Sequence, residues 1–149
     1  MMFLSRRALL GIAAVVDVAI HGRGAPVAAK ALAARHGLPP RHLEPLLQAF
    51  VRAGILKGVR GPKGGYELAR ERRRITIAEI VKICLAAEDA ESVGFGDSRL
   101  VRDVVAPVVL GASQELFRFL EATTVAELCN QAEGLQVFEN PGNLVDFTI

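Results

Sequence analysis

The chain has 149 residues, 51% hydrophobic and only 5% aromatic, with no tryptophan. That is enough apolar material for one core and argues against disorder, and its Ala, Val, Leu and Ile character favours packed helices over a β-sandwich. The net charge of +2 conceals a split: residues 1–82 hold 15 Lys/Arg and 5 Asp/Glu, whereas residues 83–149 hold 3 and 11. A first part at +10 suits a polyanion such as double-stranded DNA, and a second part at −8 does not. Two cysteines, Cys84 and Cys129, exclude a disulfide framework and fit a reducing cytoplasm. No apolar run reaches the roughly 18 residues of a spanning helix, so no membrane partner is expected.

Ser5 is the predicted cap of a first helix running to about Ile20. Ser5-Arg6-Arg7-Ala8-Leu9-Leu10 also imitates a twin-arginine export signal. Asp17 interrupts the apolar run that such a signal needs, and Leu4, Ala8, Ile12, Val15, Ala19 and Ile20 follow a helical stripe. Gly22 and Gly24 end this helix, and Pro26 is placed to open a second, reaching about His36. After the break Gly37-Leu38-Pro39, a third helix runs from Pro40 to about Ala53, stopped by Gly54. Residues 55–59 and 66–68 flank the turn Gly61-Pro62-Lys63-Gly64-Gly65 and predict a hairpin.

A helix over about Thr76–Leu85 and a loop over 86–98 follow. From about Ser98 to Leu120 the pattern is helical again, with Leu100, Val104, Val108, Leu116, Phe119 and Leu120 as candidate buried positions. Pro107 and Gly111 inside it predict a kink or a late start. Thr124-Val125-Ala126-Glu127 matches a capping box and opens a last short helix. The tail from Gly134 to Ile149 fits a strand or a surface segment equally well.

Residues 29–48 fit a helix-turn-helix. Ala33 sits where only a small side chain fits, Gly37 takes the turn, and Leu43 plugs the interface with Leu32, Leu38 and Leu46. A short basic hairpin after it makes a winged helix. The tip puts Arg60 and Lys63 on a compact Gly-Pro loop suited to a narrow groove. The loop lacks the Gly-Lys-Ser/Thr ending that a nucleotide-phosphate loop requires.

Leu43-Glu44, Ala53-Gly54-Ile55-Leu56 and Val59-Arg60-Gly61-Pro62-Lys63-Gly64-Gly65-Tyr66-Glu67-Leu68-Ala69 resemble the Rrf-two family of bacterial winged helix-turn-helix transcription regulators. Asp17-Val18-Ala19-Ile20 and Thr124-Val125-Ala126-Glu127-Leu128 are similar to it as well, so the resemblance spans roughly residues 3–130. It implies a dimeric repressor or activator whose third helix enters the major groove and whose later long helix pairs with its twin. Many members hold an iron–sulfur cluster on three closely spaced cysteines; the matching stretch here, Ala86 to Arg99, has none. No cofactor is therefore expected.

The expected architecture is mainly α with a small β-hairpin wing. Residues 1–85 form the winged helix-turn-helix, and residues 86–149 supply a loop, a dimerisation helix and a tail. The candidate DNA-binding residues are Ser5, Arg6 and Arg7 at the start of the first helix, then Pro40, Arg41, His42, Glu44 and Pro45 on the third. Arg60, Gly61, Pro62 and Lys63 complete the set on the wing. Arg6 and Arg7 oppose the helix dipole, which makes sense beside phosphate. Glu44 could accept from a cytosine amino group, or pair with Arg41 or Arg60 instead. Pro45 lies inside the predicted helix, where it should bend it, and offers a base only apolar contact. Cys84 reads as a buried thiol, while Cys129, with more chance of exposure, is the candidate redox-sensing residue.

No serine or cysteine has a base at a recognisable offset, and His21, His36 and His42 lack metal-ligand spacing, so an enzyme is not expected. The functional expectation is a homodimeric, sequence-specific DNA-binding regulator, taken as a repressor, responding to an effector the sequence does not identify. The alternative is a winged-helix adaptor that binds a protein and no DNA, for which +10 in residues 1–82 has no evident use.

Overall fold

The computed structural model describes residues 4–88 and 98–138. Helix α1 (Arg6–His21) starts at Ser5, whose Oγ accepts from the Ala8 amide at 3.1 Å. Helices α2 (Ala29–Arg35) and α3 (Pro40–Arg52) form the helix-turn-helix. Gly37, at φ +63°, makes the turn between them in a conformation that disfavours other residues. Strands β1 (Leu56–Val59) and β2 (Gly65–Leu68) pair antiparallel as the wing.

Pro26 does not open α2 as the sequence suggested. Val27 instead exchanges both backbone hydrogen bonds with Tyr66 on β2, at 2.9 and 2.8 Å, and stays extended. The helix therefore begins only at Ala29. This pairing also explains Gly65: a Cβ there would lie 2.3 Å from the Val27 carbonyl oxygen.

Helix α4 (Ile77–Glu88) is opened by a Thr76–Glu79 capping box and extends past Leu85, into the expected loop. The remainder of that loop, 89–97, lies outside the described residues, as does the tail from 139. Helical structure resumes at residue 99, with a wide π-type turn over Val101–Val105 before α5 (Ala106–Glu121). The wide turn directly precedes Pro107, whose missing N–H and ring disturb regular helical bonding. Helix α6 (Val125–Gly134) carries the predicted Thr124–Glu127 capping box, with both reciprocal bonds present.

The core gathers Val15 and Val18 of α1, Leu32 of α2, Leu43, Leu47 and Phe50 of α3, Ile80 and Val81 of α4, and Val125 and Cys129 of α6. It thus crosses the charge boundary near residue 82. Helix α5 stands apart, with no buried residue of its own. Leu100, Val104, Val108 and Phe119, expected inside, are 65%, 58%, 73% and 71% exposed, while Leu116 and Leu120 are half-buried. The helical stripe is real, but among the described residues nothing covers most of it.

Candidate nucleic-acid interface

Helix α3 buries Leu43, Leu46, Leu47 and Phe50 and presents Arg41, Glu44, Pro45, Gln48 and Arg52 outward. These outward positions recur at helical spacing, so they line one solvent-facing stripe. The helix is continuous across Pro45, whose missing N–H leaves the Arg41 carbonyl without its helical donor. Glu44 is exposed and forms no ion pair with Arg41, Arg60 or any other described residue. His42 is exposed rather than packed on α2.

On the wing, Lys57 and Glu67 are register partners and form a 3.1 Å ion pair. Gly61, Pro62, Lys63 and Arg60 are exposed at the tip. Among the described residues, the exposed cations without an ion-pair partner are Arg6, Lys30, Arg41, Arg52, Arg60 and Lys63. All six lie on α1's first turn, α2, α3 or the wing. The basic run at 70–74 differs, because its arginines are engaged by Glu71, Glu79 and Glu133.

The start of α1 divides. Arg6 is exposed, but Ser5 Oγ both caps the helix and donates to Glu88 Oε1 at 2.7 Å. Arg7 is half-buried, with its Nε enclosed and lacking a hydrogen-bond partner among the described residues. Only Arg6 of the three is fully presented to solvent.

Sequence reasoning missed a polar cluster behind the helix-turn-helix. Asp17 of α1 is 1% exposed, and its carboxylate accepts from Arg35 Nε at 2.9 Å, His36 Nε2 at 3.0 Å and His21 Nδ1 at 3.0 Å. The Arg35 guanidinium takes both carboxylate oxygens, and Asp17 in turn holds its pKa above the ordinary arginine value. The cluster pins the end of α2 and the start of its turn to α1. The Asp17–His21 spacing of four was readable, but its meeting with Arg35 and His36 depends on tertiary packing.

These features invite comparison with known proteins. A family profile described as "Rrf2: Iron-dependent Transcriptional regulator" matches residues 4–131. The chain belongs to the Rrf2 family. The regulator IscR of Yersinia enterocolitica is 28% identical over 148 residues, covering 95% of this chain and 88% of that one. IscR of Xenorhabdus nematophila is 30% identical over 142 residues, covering 91% and 84%. Among solved structures, T. potens IscR superposes with TM-score 0.71 at 32% identity, covering 91% of each chain. CymR of B. subtilis shares the fold at TM-score 0.65 and 24% identity, covering 88% of this chain and 98% of that one. These Rrf2 relatives are transcription regulators, and this chain is a regulator rather than an enzyme. Among the described residues no helix is long and apolar enough to cross a membrane.

The iron in the family's description does not fit the donors here. Cys84 and Cys129 stand on different helices, and both are buried. Burial pushes the Cys84 thiol up to about 11, against the pull of Arg7, and also raises Cys129, against Arg72 and Arg23. Cluster ligands are thiolates, so two separated, protonation-favouring thiols are a poor donor set. The burial of Cys129 also corrects its expected exposure: it packs in the core beside Arg72. Asp17 meets two imidazoles, but Arg35 occupies its oxygens. Protein purified without oxygen is expected to be colourless; stoichiometric iron and sulfide would contradict this.

Proposed function

We propose that the chain is a homodimeric, sequence-specific DNA-binding repressor acting in the cytoplasm, with α3 in the major groove and the wing tip in the minor groove. One observation carries the reading: the exposed, unpaired cations concentrate on the helix-turn-helix, the first turn of α1 and the wing. Unpaired cations are the ones free to displace counterions from phosphate. Residues 1–85 are assigned to DNA, and residues 86–149 to dimerisation and to receiving an unidentified signal. The apolar stripe of α5 would pair with its twin, and the acidic second part would keep DNA off that face. The relatives' names as transcription regulators support the reading.

Glu44, one turn into α3, is assigned to a cytosine amino group, and Pro45 to apolar contact such as a thymine methyl. Arg60 is assigned to the minor groove. Arg41, His42 and Lys63 would then meet phosphate, as would Arg6.

Two variants separate these roles. Arg60→Ala should weaken binding and reduce the salt slope by about one unit. Glu44→Ala should relax preference at one operator position, by about 1–3 kcal/mol of discrimination, with little change in salt slope. Titrations against the cognate site and its single-base variants, at several salt concentrations, read both effects. Uniform weakening by Glu44→Ala, with the base profile intact, would make Glu44 structural and overturn this placement of α3.

A further inference from the structure

The outward stripe of α3 and the wing are joined by a contact that the interface described above does not use. Gln48 Nε2 donates to Tyr66 Oη at 3.1 Å, across an open cleft of about 470 Å³ whose lining includes Val51, Val59 and Arg60. Tyr66 is half-buried and held on both sides of its strand. Its backbone pairs with Val27 on one side and with Gly58 of β1 on the other. Gly58 has no side chain to crowd the ring. Because the hydroxyl accepts from Gln48, its own O–H remains available as a donor.

A helix in the major groove and a wing in the neighbouring minor groove must straddle the sugar–phosphate strand that separates them. In this protein, the space between those two elements is the cleft beside Gln48 and Tyr66. We propose that this strand crosses the cleft and that Tyr66 Oη, oriented by Gln48, donates a hydrogen bond to one of its phosphates. The inference rests on the DNA-binding reading above. It adds a neutral phosphate contact that fixes register between the base-reading helix and the wing.

A neutral contact has a distinctive signature, because it releases no counterion. With the intact protein and a duplex it selects from a random pool, Tyr66→Phe should weaken binding about tenfold, the worth of one hydrogen bond to a charged acceptor. The loss should be equal on all single-base variants, and the salt slope should not change. Gln48→Leu should give a smaller loss, and adding it to Tyr66→Phe should cost nothing further. A scan of single methylphosphonate substitutions should find one position that weakens the wild-type protein and leaves Tyr66→Phe unaffected. The scan uses wild-type protein as its reference, so a folding defect cannot imitate this result. Wild-type affinity in Tyr66→Phe, an altered base profile, or the absence of any such phosphate position would overturn the proposal while leaving DNA binding intact. A wild-type protein without salt-dependent DNA binding would remove the DNA reading and this inference together.

Discussion

Asp17→Ala is expected to destabilise the fold by about 2–3 kcal/mol, because a buried carboxylate that accepts charge-assisted hydrogen bonds is lost while Arg35, partly in water, rehydrates. The carboxylate is 1% exposed and is the common acceptor for Arg35, His36 and His21. Its loss leaves the inner edge of a partly solvated guanidinium without a counter-charge. His36 Nε2 loses its acceptor at the same time, while His21 Nδ1 keeps the Asp17 backbone carbonyl at 3.1 Å. Because Arg35 and His36 end α2, the helix-turn-helix should loosen before the hairpin does. A double variant, Asp17→Leu with Arg35→Met, should recover part of the loss, since it removes the unpaired charge and refills the buried space at Asp17. Urea unfolding of the three proteins measures this. A single-variant cost below about 1 kcal/mol would mean that the cluster does not hold α2 to α1.

Val108→Arg is expected to yield a folded monomer whose affinity for a two-half-site operator falls by about a hundredfold or more, the avidity lost with one of two linked contacts. Val108 is 73% exposed and α5 has no buried residue, so among the described residues of one protomer the substitution disturbs no packing. In a dimer packed along α5, each copy would bury an arginine against its twin's apolar stripe. Light scattering at micromolar concentration, with circular dichroism to verify folding, reads the outcome. A stable dimer in Val108→Arg would place the protomer contact elsewhere. A wild-type monomer would refute dimerisation.

Local chemistry was legible in the sequence and long-range meetings were not. Ser5, Gly37, Gly54 and the Thr124–Glu127 box mark element ends through bonds or dihedrals within a few residues, and the structure has them at those ends. The Thr76–Glu79 box has the same spacing and was equally readable, though the sequence reading passed over it. Val27 is different: its pairing with Tyr66 spans 39 positions and overrides the helix-start preference of Pro26. Asp17 looked like an interruption in an apolar helix because its partners, Arg35 and His36, belong to the next one. The α5 stripe showed its period but not its exposure, since periodicity marks an apolar face without naming what covers it. Of the proposed interface, the placement of Glu44 on α3 and of Arg60 and Lys63 on the wing follows from motif position, and all three are exposed. The Gln48–Tyr66 bond was not, because it depends on how the wing folds back toward α3.

If the unpaired cations of the helix-turn-helix and wing serve DNA, binding must depend on salt. Titrating the intact protein against a duplex carrying its selected site, from about 50 to 200 mM salt, tests it most directly. Log K should fall steeply and linearly with log salt, with a slope of about −4 or steeper for two protomers. A much weaker but similarly salt-dependent interaction with unrelated duplex is also expected. Affinity that is absent, or that does not change across that range, would contradict DNA binding by these cations.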